Sequence, residues 1–256
     1  MLLYVLMGVT VGLLSTIAGI GGGVFMVPLF YFMGLGISSA VGTSKFVILF
    51  TSLIGSIKYL KLKRVLPRVS MLVLIGMMPF SYIGALMVAT IERTLLKTIV
   101  ALFIVSYGAR LLYTYFRTRG RHGRKPYSNK PECVGEEAYC SRWYLLVLIG
   151  CFSGLIAGLT GTGGGVINMP LFLTVLKIPI HYAVATSTFT IFPASITATI
   201  RHVIDGEVAY SIAVPFTIGS IAGAYIGPHI ALSMKPQHLR VLVGAVLVAV
   251  GIRMLV

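Results

Sequence analysis

Three consecutive glycines inside an apolar stretch are hard to hold in a continuous helix, and this chain has such a run twice. Gly19-Ile-Gly-Gly-Gly-Val-Phe-Met-Val-Pro28 returns as Gly161-Thr-Gly-Gly-Gly-Val-Ile-Asn-Met-Pro170. Each glycine costs an α-helix about 1 kcal/mol relative to alanine, so a helix break is expected at Gly21–Gly23 and again at Gly163–Gly165. A break leaves backbone N–H groups without internal partners. In lipid such backbone survives only inside protein or beside a water-filled cavity, and paired broken helices near mid-membrane are where a transporter places its substrate.

The surroundings of both runs make lipid the relevant solvent. The 256 residues are 57% hydrophobic and 11% charged, against about 25% charged in an ordinary soluble domain. The chain therefore reads as a multi-pass, all-α membrane protein. Its formal net charge of +15 gathers in short loops between apolar spans, which is the positive-inside pattern and excludes nucleic acid as the expected partner. Met1–Met7 carries no basic segment and runs straight into the first span, so no cleaved signal peptide is expected.

All six acidic residues, Glu92, Glu132, Glu136, Glu137, Asp205 and Glu207, fall in loops or at span ends. Cation pumps and antiporters usually hold a carboxylate within the membrane, so its absence favours an anionic or neutral substrate. Cys133, Cys140 and Cys151 show neither metal-ligand spacing nor a disulfide framework. No cofactor or metal is expected.

Read in order, residues 2–33 form an apolar segment broken at Gly21–Gly23, either one interrupted span or a span with a re-entrant half-helix. Spans follow at about 38–57, 71–90 and 95–115, the first two separated by the basic loop Lys58–Arg68. Residues 117–142 are the only extended hydrophilic stretch and read as a basic cytoplasmic linker. The pattern then restarts, with a broken segment at 143–175 and spans at about 183–200, 209–231 and 239–256. This divides the chain into transmembrane repeat 1 (1–116), the linker (117–142) and transmembrane repeat 2 (143–256), each repeat with four spans, the first of them broken by glycine.

The repetition is extensive. Gly12–Phe30 and Gly154–Phe172 share ten of nineteen residues, and Ala40–Phe46 matches Ala183–Phe189 at five of seven. With the N-terminus inside and four crossings per half, the loop at Lys58–Arg68, the linker, Arg201 and Arg253 all become cytoplasmic, as do both termini. An even number of crossings makes the halves parallel; a broken segment that crosses twice would make them inverted.

The doubled G-x-G-G-G-x-x-x-x-P motif, each copy followed by A-V-[GA]-T-S-x-F, resembles the TauE/SafE family of membrane permeases over essentially the whole chain. The resemblance implies a secondary transporter of small anions, notably sulfite and organosulfonates such as sulfoacetate, in a prokaryotic plasma membrane and without a cofactor. The matching positions are Gly19, Gly21, Gly22, Gly23, Pro28, Thr43 and Ser44, and in the second half Gly161, Gly163, Gly164, Gly165, Pro170, Thr186 and Ser187. Some relatives carry a cysteine just before the glycine run. Here Ala18 and Thr160 stand at those positions, so thiol chemistry is not expected.

The candidate substrate site combines Gly21, Gly22, Gly23, Gly163, Gly164 and Gly165 with the neutral donors Thr43, Ser44, Thr160, Thr162, Asn168, Thr186, Ser187 and Thr188. A half-helix restarting after the glycines presents about +0.5 charge and free N–H groups to a sulfonate or sulfite oxygen cluster. The competing role for each hydroxyl is a bond to its own or a neighbouring helix backbone. Lys45 lies inside the second span, and its counterpart in the repeat is Thr188. It is either a substrate-binding cation or a side chain that snorkels to the interface.

Arg110 and Arg253 read as interfacial anchors. Lys97 and Arg240 form either an attracting vestibule or further anchors, and His181 and His202 are solvated interfacial residues or proton relays. A proton is the candidate coupling ion. Gly84 with Ala85 and Gly223 with Ala224 suit close helix packing, within the protomer or in a homodimer. The alternatives are an anion channel using the same breaks, a scaffold, and an intramembrane enzyme, for which no Gly-x-Ser-x-Gly, His-Glu-x-x-His or buried carboxylate is found.

Overall fold

The computed structural model describes residues 1–92 and 142–233 throughout, with scattered positions at 94–95, 98, 101–102, 105–106, 108–110, 112–113, 140, 248 and 252. Of the span expected at 95–115, eleven scattered positions are described, all helical; the span expected at 239–256 and the 117–142 linker lie nearly all outside the described residues, as do Lys97, Arg240 and Arg253. Every regular element among those described is an α-helix: α1 (Leu2–Ala18), α2 (Gly23–Phe32), α3 (Ile37–Lys61), α4 (Pro67–Thr90), α5 (Trp143–Thr160), α6 (Gly165–Thr174), α7 (Ile180–Ile204) and α8 (Tyr210–Ser233). Five of them, α3, α4, α5, α7 and α8, are long and apolar enough to cross a membrane, while α1 and α2 are shorter apolar helices.

Both glycine runs break their helices. Gly19, Gly21 and Gly22 adopt φ of 65°, 87° and 73°, and Gly161, Gly163 and Gly164 adopt 69°, 87° and 83°. L-residues with a Cβ rarely occupy that left-handed region, so three such residues in four reverse the chain at a cost only glycine avoids. The chain then doubles back: Gly22 packs on Ser15, one turn before the break, and Phe30 stacks edge-on with Phe216 at 5.0 Å between centroids. Phe216 in turn lies against Gly8, near the start of α1. Thus α2 returns along the direction from which α1 came.

This reversal decides the relative direction of the halves. Near one end of α3, the Thr43 hydroxyl accepts from Ala209 N–H, just beyond α7; near the other, Ser56 donates to the Thr188 carbonyl, early in α7. The two helices are counterparts in the repeat and run antiparallel. The parallel arrangement expected from an even number of crossings is therefore overturned, because each broken segment enters and leaves at the same end. It follows that Met1 and the Lys58–Arg68 loop lie at opposite ends of the helices, which also overturns the placement of both on one side.

Close packing explains most of the remaining glycines. Along α1 and α8, which run parallel, Gly8 and Gly12 face Phe216 and Ser220 while Gly219 and Gly223 face Val5 and Val9. Along α4 and α5, also parallel, Gly76 and Gly84 face Val147 and Leu155 while Gly150, Gly154 and Gly158 face Val73, Met77 and Ser81. Without a hydrophobic force between helices in lipid, such small-residue faces provide association through close backbone approach. Gly84 and Gly223 are thus used within the protomer, not as a seam between protomers.

Charge separates the two ends. Lys58, Lys61, Lys63, Arg64, Arg68, Arg142 and Lys177 lie at the end where α3 and α6 finish and where α4, α5 and α7 begin; Glu92, Arg201, Asp205 and Glu207 lie at the other. At the basic end Lys58 Nζ sits 3.3 Å above the Tyr225 ring, tying α3 to α8.

Candidate functional site

The two glycine turns meet at the centre of the molecule. A Cβ on Gly163 would lie 3.4 Å from the Gly21 Cα and 3.5 Å from Ile48, and one on Gly21 would lie 3.2 Å from Ile191. Gly23, the first residue of α2, abuts the Gly161 carbonyl, and Gly165, the first residue of α6, abuts the Gly19 carbonyl. Residues 19–24 and 160–169 are all buried. The centre is therefore closed towards both ends.

The hydroxyls named from sequence divide into three groups. Ser44 Oγ donates to the Gly161 carbonyl at 3.0 Å and Ser187 Oγ to the Gly19 carbonyl at 2.7 Å. Each serine thus holds the turn of the other half and occupies a carbonyl that would otherwise repel an anion. Thr43 and Thr186 act further out, accepting from Ala209 N–H at 3.0 Å and Leu66 N–H at 3.1 Å, so they tie helices to interhelical loops. Thr160 donates to Ile156 O at 2.7 Å and Thr188 to Val184 O at 2.9 Å, the backbone bonding weighed against a ligand role.

Two features of the centre are polar. Thr160 and Thr162 hydroxyls share a 2.8 Å hydrogen bond beside the Gly161 turn. Asn168, in the first turn of α6, donates from Nδ2 to Thr190 at 3.3 Å, while its Oδ1 has no partner. The first amides of α2 and α6 have no intrahelical acceptors, and both helix N-termini converge on this centre with their positive dipole ends.

Lys45 follows Ser44, the residue that pins α3 to the Gly161 turn. Its side chain is 0% exposed, and Nζ has no hydrogen-bond partner. It does not snorkel. A cation removed from water without a counter-charge is costly, and an anion is the simplest group to offset that cost.

One constellation escaped the reading from sequence. His202, expected as a solvated interfacial histidine or a proton relay, is 0% exposed, and its Nδ1 lies 2.6 Å from Glu207 Oε2. The signal was local: Gly206 adopts φ 70°, and Glu207 N–H returns to the His202 carbonyl at 2.9 Å, a helix-ending turn that folds the carboxylate back onto the ring. The equivalent turn after α3 brings Arg64 N–H to the Tyr59 carbonyl, and there the buried Tyr59 hydroxyl donates to Thr16 O at 2.8 Å. Away from the centre, Met71, Leu74, Ile75, Met78 and Pro79 line an apolar groove on α4 with no polar group suited to an anion.

Comparison with known proteins places this arrangement. No solved structure matches the chain. Among curated proteins it is 26% identical to the probable membrane transporter protein YunE of Bacillus subtilis over 99% of this chain and 96% of that one. It is 29% identical to a probable membrane transporter protein of Methanocaldococcus jannaschii over 99% and 94%. A probable membrane transporter protein of Xylella fastidiosa is 32% identical over 43% of this chain and 44% of its own. The family described as sulfite exporter TauE/SafE matches residues 4–254, and with its glycine turns, its apolar helices and that nearly complete match the chain belongs to the TauE/SafE family of membrane transporters.

Proposed function

We propose that this protein is a secondary permease for a small sulfur-containing anion, sulfite or an organosulfonate of the sulfoacetate kind, in a prokaryotic plasma membrane. The observation that carries the reading is Lys45: a fully buried ammonium without a hydrogen-bond partner, on the residue that follows Ser44, whose hydroxyl holds the Gly161 turn. Anion oxygens would take the free amides of α2 and α6, the Thr160–Thr162 pair and Asn168, with Lys45 supplying the formal charge. Ser44 and Ser187 keep the turn carbonyls occupied, and Thr43, Thr186 and Thr188 support the helices that frame the site.

The architecture we infer is two repeats, 1–116 and 143–256, each of one glycine-broken hairpin and three transmembrane spans, inverted with respect to each other and joined by the cytoplasmic linker 117–142. The α1–α2 and α5–α6 hairpins enter from opposite faces and meet at their glycine turns. Positive-inside assigns the lysine- and arginine-rich end to the cytoplasm. Met1 and the Arg201–Glu207 turn then face outward.

Burial of both glycine turns supports a carrier over an open channel: transport requires one repeat to rock against the other around the site. Purified protein in proteoliposomes, offered sulfite, sulfoacetate, taurine, sulfate and acetate, tests this. Saturable flux of a sulfur oxyanion in preference to acetate supports the reading; flux of a cation or an uncharged solute instead contradicts it.

A further inference from the structure

The pseudo-symmetry of the helices is broken most sharply at their ends. The turn after α3 couples a buried tyrosine, Tyr59, to Arg64; the equivalent turn after α7 couples a buried histidine, His202, to Glu207. One end thus carries a tyrosine hydroxyl bonded to backbone, and the other carries a histidine–carboxylate pair. His202 Nε2 is buried without a partner, while Nδ1 faces Glu207. The ring thus has one nitrogen held by a carboxylate and a second nitrogen free for a further partner.

Lys45 lies close in register. Its counterpart Thr188 rests against Gly55, and the same register across the repeat sets Lys45 at the level of Ala198, one turn before His202. Thr199, beside Ala198, also has a buried hydroxyl oxygen without a partner. The other charged and titratable groups described at this level are Arg201 of α7 and Asp205 just beyond it, which pair with each other, Tyr210 at the start of α8, whose ring stacks edge-on with Phe46, and Tyr82 of α4, one turn beyond Met78, whose carbonyl accepts from Thr197. On α5 the only titratable side chains described are Tyr144 and Cys151, in its first half, and α6 has none.

We propose that the His202–Glu207 pair is the proton-coupling site of the permease, taking up one proton from the outer side as the anion binds and releasing it with the anion. The inference rests on the anion-transport reading. A proton on Nε2 converts a net anionic pair into a neutral one. That change removes a negative charge near the level of Lys45 and raises the affinity for the anion; by linkage, the bound anion favours the proton on His202 by the same factor.

The test uses full-length protein in proteoliposomes with a trapped pH reporter, driven by a gradient of sulfite or sulfoacetate and corrected with protein-free vesicles. Wild type is expected to carry about one proton per anion. H202Y, which installs the residue of the other repeat, and E207Q are expected to retain saturable anion flux and lose at least nine-tenths of the accompanying protons. Anion flux without protons in the wild type, or unchanged proton movement in both variants, overturns the proposal. Absence of saturable flux of either anion overturns the transport reading and this inference with it. Should the variants not fold, histidine-selective NMR of the wild type, assigned by substituting the other four histidines, decides: the His202 titration midpoint must rise when sulfoacetate is added, and an unmoved midpoint rejects the site.

Discussion

Ser44 and Ser187 hold each other's half of the molecule: Ser44 donates to the Gly161 carbonyl at 3.0 Å and Ser187 to the Gly19 carbonyl at 2.7 Å. Each bond joins a long helix to the glycine turn of the opposite hairpin. A buried neutral hydrogen bond is worth about 1 kcal/mol net, and its removal strands a carbonyl at a cost of about 1–3 kcal/mol. Ser44→Ala and Ser187→Ala are each expected to destabilise the protein by about 1–3 kcal/mol, read as a lowered Tm in detergent. Because both bonds brace one centre, the double variant should deviate from the sum of the two; strict additivity would show the turns to be independent.

Gly23 and Gly165 have no room for a methyl group. A Cβ on either would collide with the carbonyl of the opposite turn, which backbone cannot yield cheaply. Gly23→Ala and Gly165→Ala should abolish monodisperse folded protein on size exclusion. Gly34 is the control: its φ is +92°, yet nothing lies within 4 Å of its added Cβ. Gly34→Ala should bear only backbone strain, on the order of 1–2 kcal/mol, and leave transport intact.

Lys45 is expected to cost the fold and serve the cargo. Lys45→Met keeps the length of the side chain and removes a buried ammonium without a partner, so the Tm should stay level or rise. Anion flux at a fixed substrate concentration should fall at least tenfold, about 1.4 kcal/mol of lost interaction. A variant with unchanged flux would remove Lys45 from the site.

Antiparallel repeats make a topological prediction. On a background with Cys133, Cys140 and Cys151 replaced by serine, single cysteines at Lys61 and at Asp205 should react with impermeant maleimide from opposite sides of the membrane, Lys61 from the cytoplasm. Labelling of both from one side would restore the parallel arrangement.

The sequence made the breaks legible because they depend on local backbone chemistry: three glycines in an apolar segment have few other uses. It also exposed the repeat and singled out Lys45 as the asymmetric cation. Direction was another matter. Whether α2 continues or reverses depends on Gly22 packing against Ser15 and Phe30 against Phe216, contacts set by tertiary structure. The serines and threonines were legible as polar groups near the turns but not in their division of labour, since Ser44 reaches a carbonyl 117 positions away whereas Thr188 bonds within its own helix. His202 was legible as a candidate proton relay but not its partner: the helix-ending turn at Gly206 carries Glu207 back over the ring.

The most direct measurement of the central claim is equilibrium binding of sulfite and sulfoacetate, with acetate as the reference, to purified wild type and Lys45→Met. The account predicts saturable binding of at least one sulfur oxyanion to the wild type, tighter than acetate, and a loss of at least tenfold in affinity in a variant that melts no lower. Equal affinities in the two proteins, or a preference for acetate, would contradict it.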